Sequence, residues 1–126
     1  MIDEPLSAAL RVRVRAAPHD CYFNAERALP LAPPGTRYVL GTYGELRNPH
    51  AWLEAPDGSI LEVTPHLRWP AAETYAAHHR LTPREVVAWR SAGNCWPPIE
   101  WWAPLWTDEE LAALKTIVPP SSDSRA

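Results

Sequence analysis

The chain has 126 residues, 46% of them hydrophobic, with a formal net charge of −3 and an isoelectric point near 5.9. That length supports one globular core and is short for two domains of ordinary size, so a single domain over residues 1–118 is predicted. The acidic balance argues against the basic surface that nucleic acid demands, and no apolar run is long enough to span a membrane.

The N-terminus lacks the basic-then-apolar build of a secretory leader, which predicts a cytoplasmic protein. Residues 10–14, Leu-Arg-Val-Arg-Val, alternate apolar and basic side chains. They read as a short strand, with Arg11, Arg13 and Arg15 on its solvated face. Pro18-His19-Asp20 breaks that pattern, and a helix follows over residues 21–29. Asp20 is its expected cap, and Phe23, Ala25, Ala28 and Leu29 form its buried stripe. Arg37 to Tyr43 is rich in β-formers and reads as a strand, in which Gly41 marks a bulge or a close backbone approach.

Residues 50–55 and 60–64 carry the strongest hairpin signal. Side chains alternate between the faces of a strand, so Ala51, Leu53 and Ala55 share a face with Leu61 and Val63 only if the loop has an odd number of residues. A three-residue Pro56-Asp57-Gly58 loop with Gly58 left-handed satisfies this condition. His50, Trp52, Glu54, Ile60, Glu62 and Thr64 then lie on the opposite face, with His50 and Glu62 as diagonal neighbours. A two-residue Asp57-Gly58 turn would separate them.

Residues 71–79 suggest a short helix. Thr82-Pro83-Arg84-Glu85 is a capping box with proline at the first helical position, and Thr107-Asp108-Glu109-Glu110 repeats the signature before a last amphipathic segment. The fifteen prolines fall between these elements, and residues 119–126 read as a loose tail. The fold class is therefore α+β, a small antiparallel sheet packed by an N-terminal cysteine-bearing helix and by C-terminal helices.

Cys21, His50 and Glu62 supply a thiol, an imidazole and a carboxylate in one chain order. A thiol at the first turn of a helix meets unpaired backbone N–H groups and the positive end of the helix dipole, both of which favour a thiolate, and its own N–H can face a developing oxyanion. His50, following Asn48-Pro49 at a strand start, is the candidate base. Glu62 is the first choice to orient it, with Asp57 second because a Pro-Asp-Gly turn explains that aspartate by itself. Asn24 and Trp52 are candidates for substrate or oxyanion contacts, although a local structural hydrogen bond equally accounts for Asn24.

Cys21-Tyr22-Phe23-Asn24-Ala25, Tyr38-Val39-Leu40-Gly41, His50-Ala51-Trp52 and the run from Asp57 to Pro65 together resemble a group of small bacterial proteins of papain-like or transglutaminase-like architecture. The likeness covers residues 21–65 and implies Cys21, His50 and Glu62 as a catalytic triad on such a fold. Two positions depart from the pattern: Glu62 stands where aspartate is usual, and Leu40 where an acid usually precedes the glycine. The implied activity is a cysteine-dependent amide enzyme, a peptidase, amidase, deamidase or acyl transferase, acting on a peptide, protein or small amide without a cofactor.

Other readings compete with this one. Five histidines suffice in number for a metal, but none shows the helical spacing of a metal motif, so no metal site is predicted. Two cysteines, Cys21 and Cys95, are too few for a disulfide scaffold, and Cys95 reads as a structural thiol. Of the seven tryptophans, Trp89, Trp96, Trp101, Trp102 and Trp106 crowd the C-terminal half. They form either a core that compensates for irregular backbone or an aromatic wall, and the wall would make the chain a non-catalytic module that binds a peptide or protein.

Overall fold

The computed structural model describes residues 1–66 and 69–98. Contacts group the chain into two units, Met1–Val86 and Val87–Ala126. The expected last helix from Thr107, the residues Trp101, Trp102 and Trp106, and the tail from Pro119 lie outside the described residues.

The first unit is α+β. Its elements run α1 (Glu4–Val14), α2 (Cys21–Ala28), β1 (Arg37–Tyr43), β2 (Asn48–Glu54), β3 (Ile60–Leu61), β4 (Ala76–Leu81) and the start of α3 (Pro83–Ser91), with single 3₁₀ turns at Leu29–Leu31 and Ala72–Thr74. The four strands form one antiparallel sheet in the order β3-β2-β1-β4. Successive residues Tyr38, Val39 and Leu40 on β1, and Ala51, Trp52 and Leu53 on β2, are all buried. A run without alternation means that the central strands are covered on both faces. Helix α2 packs against β2 and α1, which brings the helix start at Cys21 to the strand that carries His50.

Two sequence expectations fail, each for a local reason. Residues 10–14 are the end of helix α1, not a strand. The Asp3 carboxylate accepts from the Leu6 N–H at 3.1 Å, Pro5 sits in the first turn, and Glu4 and the pair Arg11 and Arg13 match the two ends of the helix dipole. The apolar-basic alternation misleads because only Ser7 and Leu10, three apart, are buried, while Val12 faces solvent. Residues 71–79 are a 3₁₀ turn followed by edge strand β4, whose alternating burial is the period of a strand. A smaller correction concerns Asp20, which precedes α2 but whose side chain makes no capping hydrogen bond.

The hairpin register agrees with the parity argument. Leu53 pairs with Leu61 and Glu54 with Ile60, and Ala55 and Ser59 close a three-residue loop in which Gly58 has φ +89°. The capping box at α3 is also formed, with the Glu85 N–H donating to Thr82 Oγ1 at 3.2 Å and the Thr82 N–H to Glu85 Oε1 at 2.9 Å. In the second unit the Asn94 amide caps the end of α3 by donating to Trp89 O at 3.1 Å, and Trp89 lies 6.3 Å from Trp96 between ring centroids.

Gly41 is both a bulge and a close approach. The pairing of β1 with β4 shifts between Leu40 and Gly41, and a Cβ at position 41 would run into the Ala76 carbonyl and lie 2.6 Å from Trp52 Cη2. Gly41 also pairs with His50 across β1 and β2, so its missing side chain leaves room for the Trp52 indole beneath the histidine. Because one clash is with backbone, Gly41→Ala should destabilise the fold by about 2–3 kcal/mol. Gly44→Ala, at φ +76° with open space around it, should cost only about 1 kcal/mol. Urea denaturation of the two variants checks the order, and equal midpoints would contradict it.

Candidate functional site

Glu62 follows directly on β3, and helix α1 fixes its backbone. The Glu62 N–H donates to Ser7 Oγ at 3.0 Å, and Arg11 Nη1 donates to the Glu62 carbonyl at 2.7 Å. Arg11 is itself paired with Glu4 and lies over the Trp69 ring at 4.8 Å. Two turns of α1 thus take the place of a further strand, satisfying the peptide groups of Glu62 on that side.

The Glu62 side chain is fully buried, so a carboxylate there needs partners. His50 Nε2 lies 2.8 Å from Oε1, Tyr75 donates its hydroxyl to Oε1 at 2.5 Å, and the Thr64 N–H donates to Oε2 at 3.2 Å. His66 Nε2 stands 3.4 Å from Oε1, outside hydrogen-bonding geometry. Burial pushes the Glu62 carboxyl up, but the His50 charge and the hydrogen bonds from His50 and Tyr75, with the His66 ring close by, outweigh it and hold the group down at about 2.

His50 is 2% exposed, is bonded to the Glu62 carboxylate and lies close to Cys21. Burial alone would depress its pKa. The Glu62 charge, followed by the influence of the nearby Cys21 side chain and the hydrogen bond to Glu62, outweighs this and raises it to about 10. Since Nε2 is held by Glu62, Nδ1 is the ring nitrogen left to face Cys21. Tyr43 stacks on the imidazole at 4.0 Å, with 16° between the ring planes, and Trp52 lies on the ring at 5.9 Å. The imidazole is therefore held in plane by two aromatic rings and at Nε2 by a carboxylate. Cys21 is half-buried at the first position of α2, where N–H groups have no acceptor within the helix.

The structure thus brings Cys21, His50 and Glu62 together, while the alternative acid Asp57 is exposed in its turn and accepts from the Ser59 N–H at 2.9 Å. The Asn24 and Trp52 side chains, expected to contact substrate, are both buried and engaged within the fold. The Asn24 amide is fully buried and committed: it donates to Ala17 O at 2.8 Å and Thr64 Oγ1 at 3.0 Å, and accepts from the Ala17 N–H and Arg27. It ties the loop before α2 to the segment after Glu62. Trp52 is buried under His50, edge-on to Tyr75 at 5.0 Å.

Sequence reasoning passed over Tyr43, His66, Tyr75, Ser7 and Arg11. Tyr43 was within reach, because it lies two residues from Gly41 on a strand whose side chains alternate. Tyr75 and the α1 pair were hidden by the two misread elements. Among the described residues, His50, Glu62 and His66 are also the one His/Cys/Asp/Glu group whose ligand atoms converge, all within 4.8 Å.

No family model, curated protein or solved structure matches the chain. The site's meaning therefore rests on its geometry.

The buried pair makes a two-sided pH prediction. His50 gains its proton partner on folding, so its contribution to stability is complete below its ordinary value of 6.5 and is lost as the pH rises through about 10. Glu62 is shifted the other way, so its contribution is present above its ordinary value of 4.5 and is lost as the pH falls through about 2. Urea midpoints should be flat between pH 4.5 and 6.5 and should fall on both sides. Glu62→Gln should lower stability at pH 6 by about 3 kcal/mol, as expected when one partner of a buried pair is removed, and should flatten both limbs.

Proposed function

We propose that the chain is a cysteine-dependent amide enzyme in which Cys21 is the nucleophile, His50 the proton carrier and Glu62 the group that orients His50. One observation carries this reading: a single buried imidazole is hydrogen-bonded to the Glu62 carboxylate, and the Cys21 side chain lies near enough to act on its proton affinity. A histidine needed only for packing has no use for a half-exposed thiol at a helix start. The order and geometry are those by which a thiolate–imidazolium pair is made and kept.

The reaction follows from the placement. The Cys21 sulfur attacks the acyl carbon of an amide, and the C=O electron pair moves onto oxygen, where the Cys21 N–H at the start of α2 is placed to receive it. Collapse of the adduct breaks the C–N bond, and the His50 Nδ1 proton passes to the departing amine, leaving a thioester on Cys21. Water, or an amine in a transferase, then gives a proton to His50 and attacks the thioester, which releases the acyl group and restores the thiolate–imidazolium pair. Glu62 keeps the imidazole in one orientation throughout and takes no proton.

A papain-like or transglutaminase-like architecture belongs to this same proposal, supported by the cysteine-first helix packed on the sheet strand that bears the histidine. Neither Cys21 nor Cys95 is in a disulfide, which fits a reducing compartment such as the cytoplasm, and no helix of the described residues is long and apolar enough to cross a membrane.

Iodoacetamide labelling at pH 6, followed by mass spectrometry, tests the pair without knowledge of the substrate. Cys21 should label faster than Cys95, and His50→Asn should slow Cys21 labelling by about 10-fold or more while leaving Cys95 unchanged. An activated ester such as p-nitrophenyl acetate should acylate Cys21 and show a burst, which Cys21→Ser abolishes while changing stability by no more than about 1 kcal/mol. Labelling of Cys21 that is indifferent to His50 would remove the enzyme reading.

A further inference from the structure

His66 has no part in the proposed thiol chemistry, yet it stands in the same buried cluster. Its Nε2 is buried and has no hydrogen-bond partner among the described residues, although a carboxylate oxygen lies 3.4 Å away. A buried ring nitrogen in contact with an anion but out of line with it is an unusual expense, and such a group calls for an explanation.

The arrangement around it supplies one. His50 Nε2, Glu62 Oε1 and His66 Nε2 offer two imidazole nitrogens and one carboxylate oxygen, all within 4.8 Å of one another, with separations of 2.8 Å and 3.4 Å from Glu62 to the two histidines. Ligand atoms around a tetrahedral zinc ion, each about 2.0–2.2 Å from the metal, are roughly 3.3–3.6 Å apart. The Glu62 contacts therefore need small adjustments to accept an ion, and His66 Nε2, bonded to nothing else, already faces the position. Two nitrogens and one oxygen suit zinc-type ions and are a poor set for magnesium or calcium, which prefer oxygen ligands throughout. Three protein ligands also leave a fourth position open.

The surroundings resemble the outer support of a metal site. Tyr75 and the Thr64 N–H hold the Glu62 carboxylate, and Tyr43 contacts both histidine rings, at 4.0 Å from His50 and 5.4 Å from His66. Side chains so held need little reordering to bind an ion.

We propose that His50, Glu62 and His66 form a binding site for a zinc-type divalent cation. The ion takes the place of the proton on His50 Nε2 and separates the imidazole from the carboxylate that orients it, with one proton released to solvent. This site stands independently of the thiol reading.

The experiment titrates Zn²⁺ into the metal-free full chain against a chromophoric zinc chelator. The wild-type protein should bind one equivalent. His66→Phe and His66→Gln should each weaken binding by about 10-fold or more, and Cys21→Ala should bind as the wild type does. Circular dichroism and urea midpoints establish that the variants are folded, and two different replacements at position 66 guard against the loss of one. A wild-type chain that takes up no zinc would overturn the proposal. So would His66 variants that bind as tightly as the wild type, or loss of binding in Cys21→Ala, which would move the ion to the thiol. If metal-free Cys21 labelling is already indifferent to His50, the enzyme reading fails while the zinc titration still decides the site.

Discussion

A carboxylate with no exposure to water sits at the centre of the first unit, and most of what surrounds it exists to make that tolerable. Desolvating Glu62 costs several kcal/mol, which the molecule offsets with an imidazolium, a phenol and a backbone amide on the two carboxylate oxygens. Each donor comes from a different segment: β2, the turn before β4, and the chain just beyond Glu62. The acid therefore ties together parts of the fold that share few direct contacts. A hydrophobic residue of similar size would hold the core as well or better, so stability alone does not account for the pair.

Helix α1 is the element that makes the position of Glu62 possible. β3 is only two residues long, and the backbone beyond it would be left with unsatisfied groups at a sheet edge. Ser7 and Arg11, one turn apart on α1, supply the missing acceptor and donor respectively, and the bridge between Ile2 and Ile60 anchors the helix start to the same strand. The N-terminal segment thus determines where the acid stands, and through the acid it determines the direction of the His50 ring.

The imidazole is constrained on every side. Glu62 holds one nitrogen, the Cys21 side chain lies nearby, Tyr43 covers one plane, and the Trp52 indole fills the room that Gly41 leaves open. Rigidity of this kind suits a proton carrier, because an imidazole that cannot turn loses no time or free energy in finding its acceptor. The same rigidity places His50 and His66 around one carboxylate oxygen, so the proposed proton transfer and the proposed cation site share one set of side chains.

Short-range chemistry was legible from the residues alone. β1 followed from its β-formers and Gly41, α3 from its capping box, and the face shared by His50 and Glu62 from counting residues in the Pro56-Asp57-Gly58 loop. These are local effects, in which backbone geometry and side-chain alternation act over a few residues. Three things required the folded chain. Residues 10–14 alternate like a strand, and only the burial of Ser7 and Leu10 under the sheet edge reveals a helix. Asn24 has the right chemistry for a substrate contact, but tertiary packing commits both ends of its amide to Ala17 and Thr64. Tyr43, His66 and Tyr75 come to Glu62 from separate segments, and no spacing in the chain records that meeting. Pattern along the chain sets which face a side chain takes within its own element. Which faces then meet is decided by how the elements pack, since a buried charge recruits whatever donors the fold brings within reach.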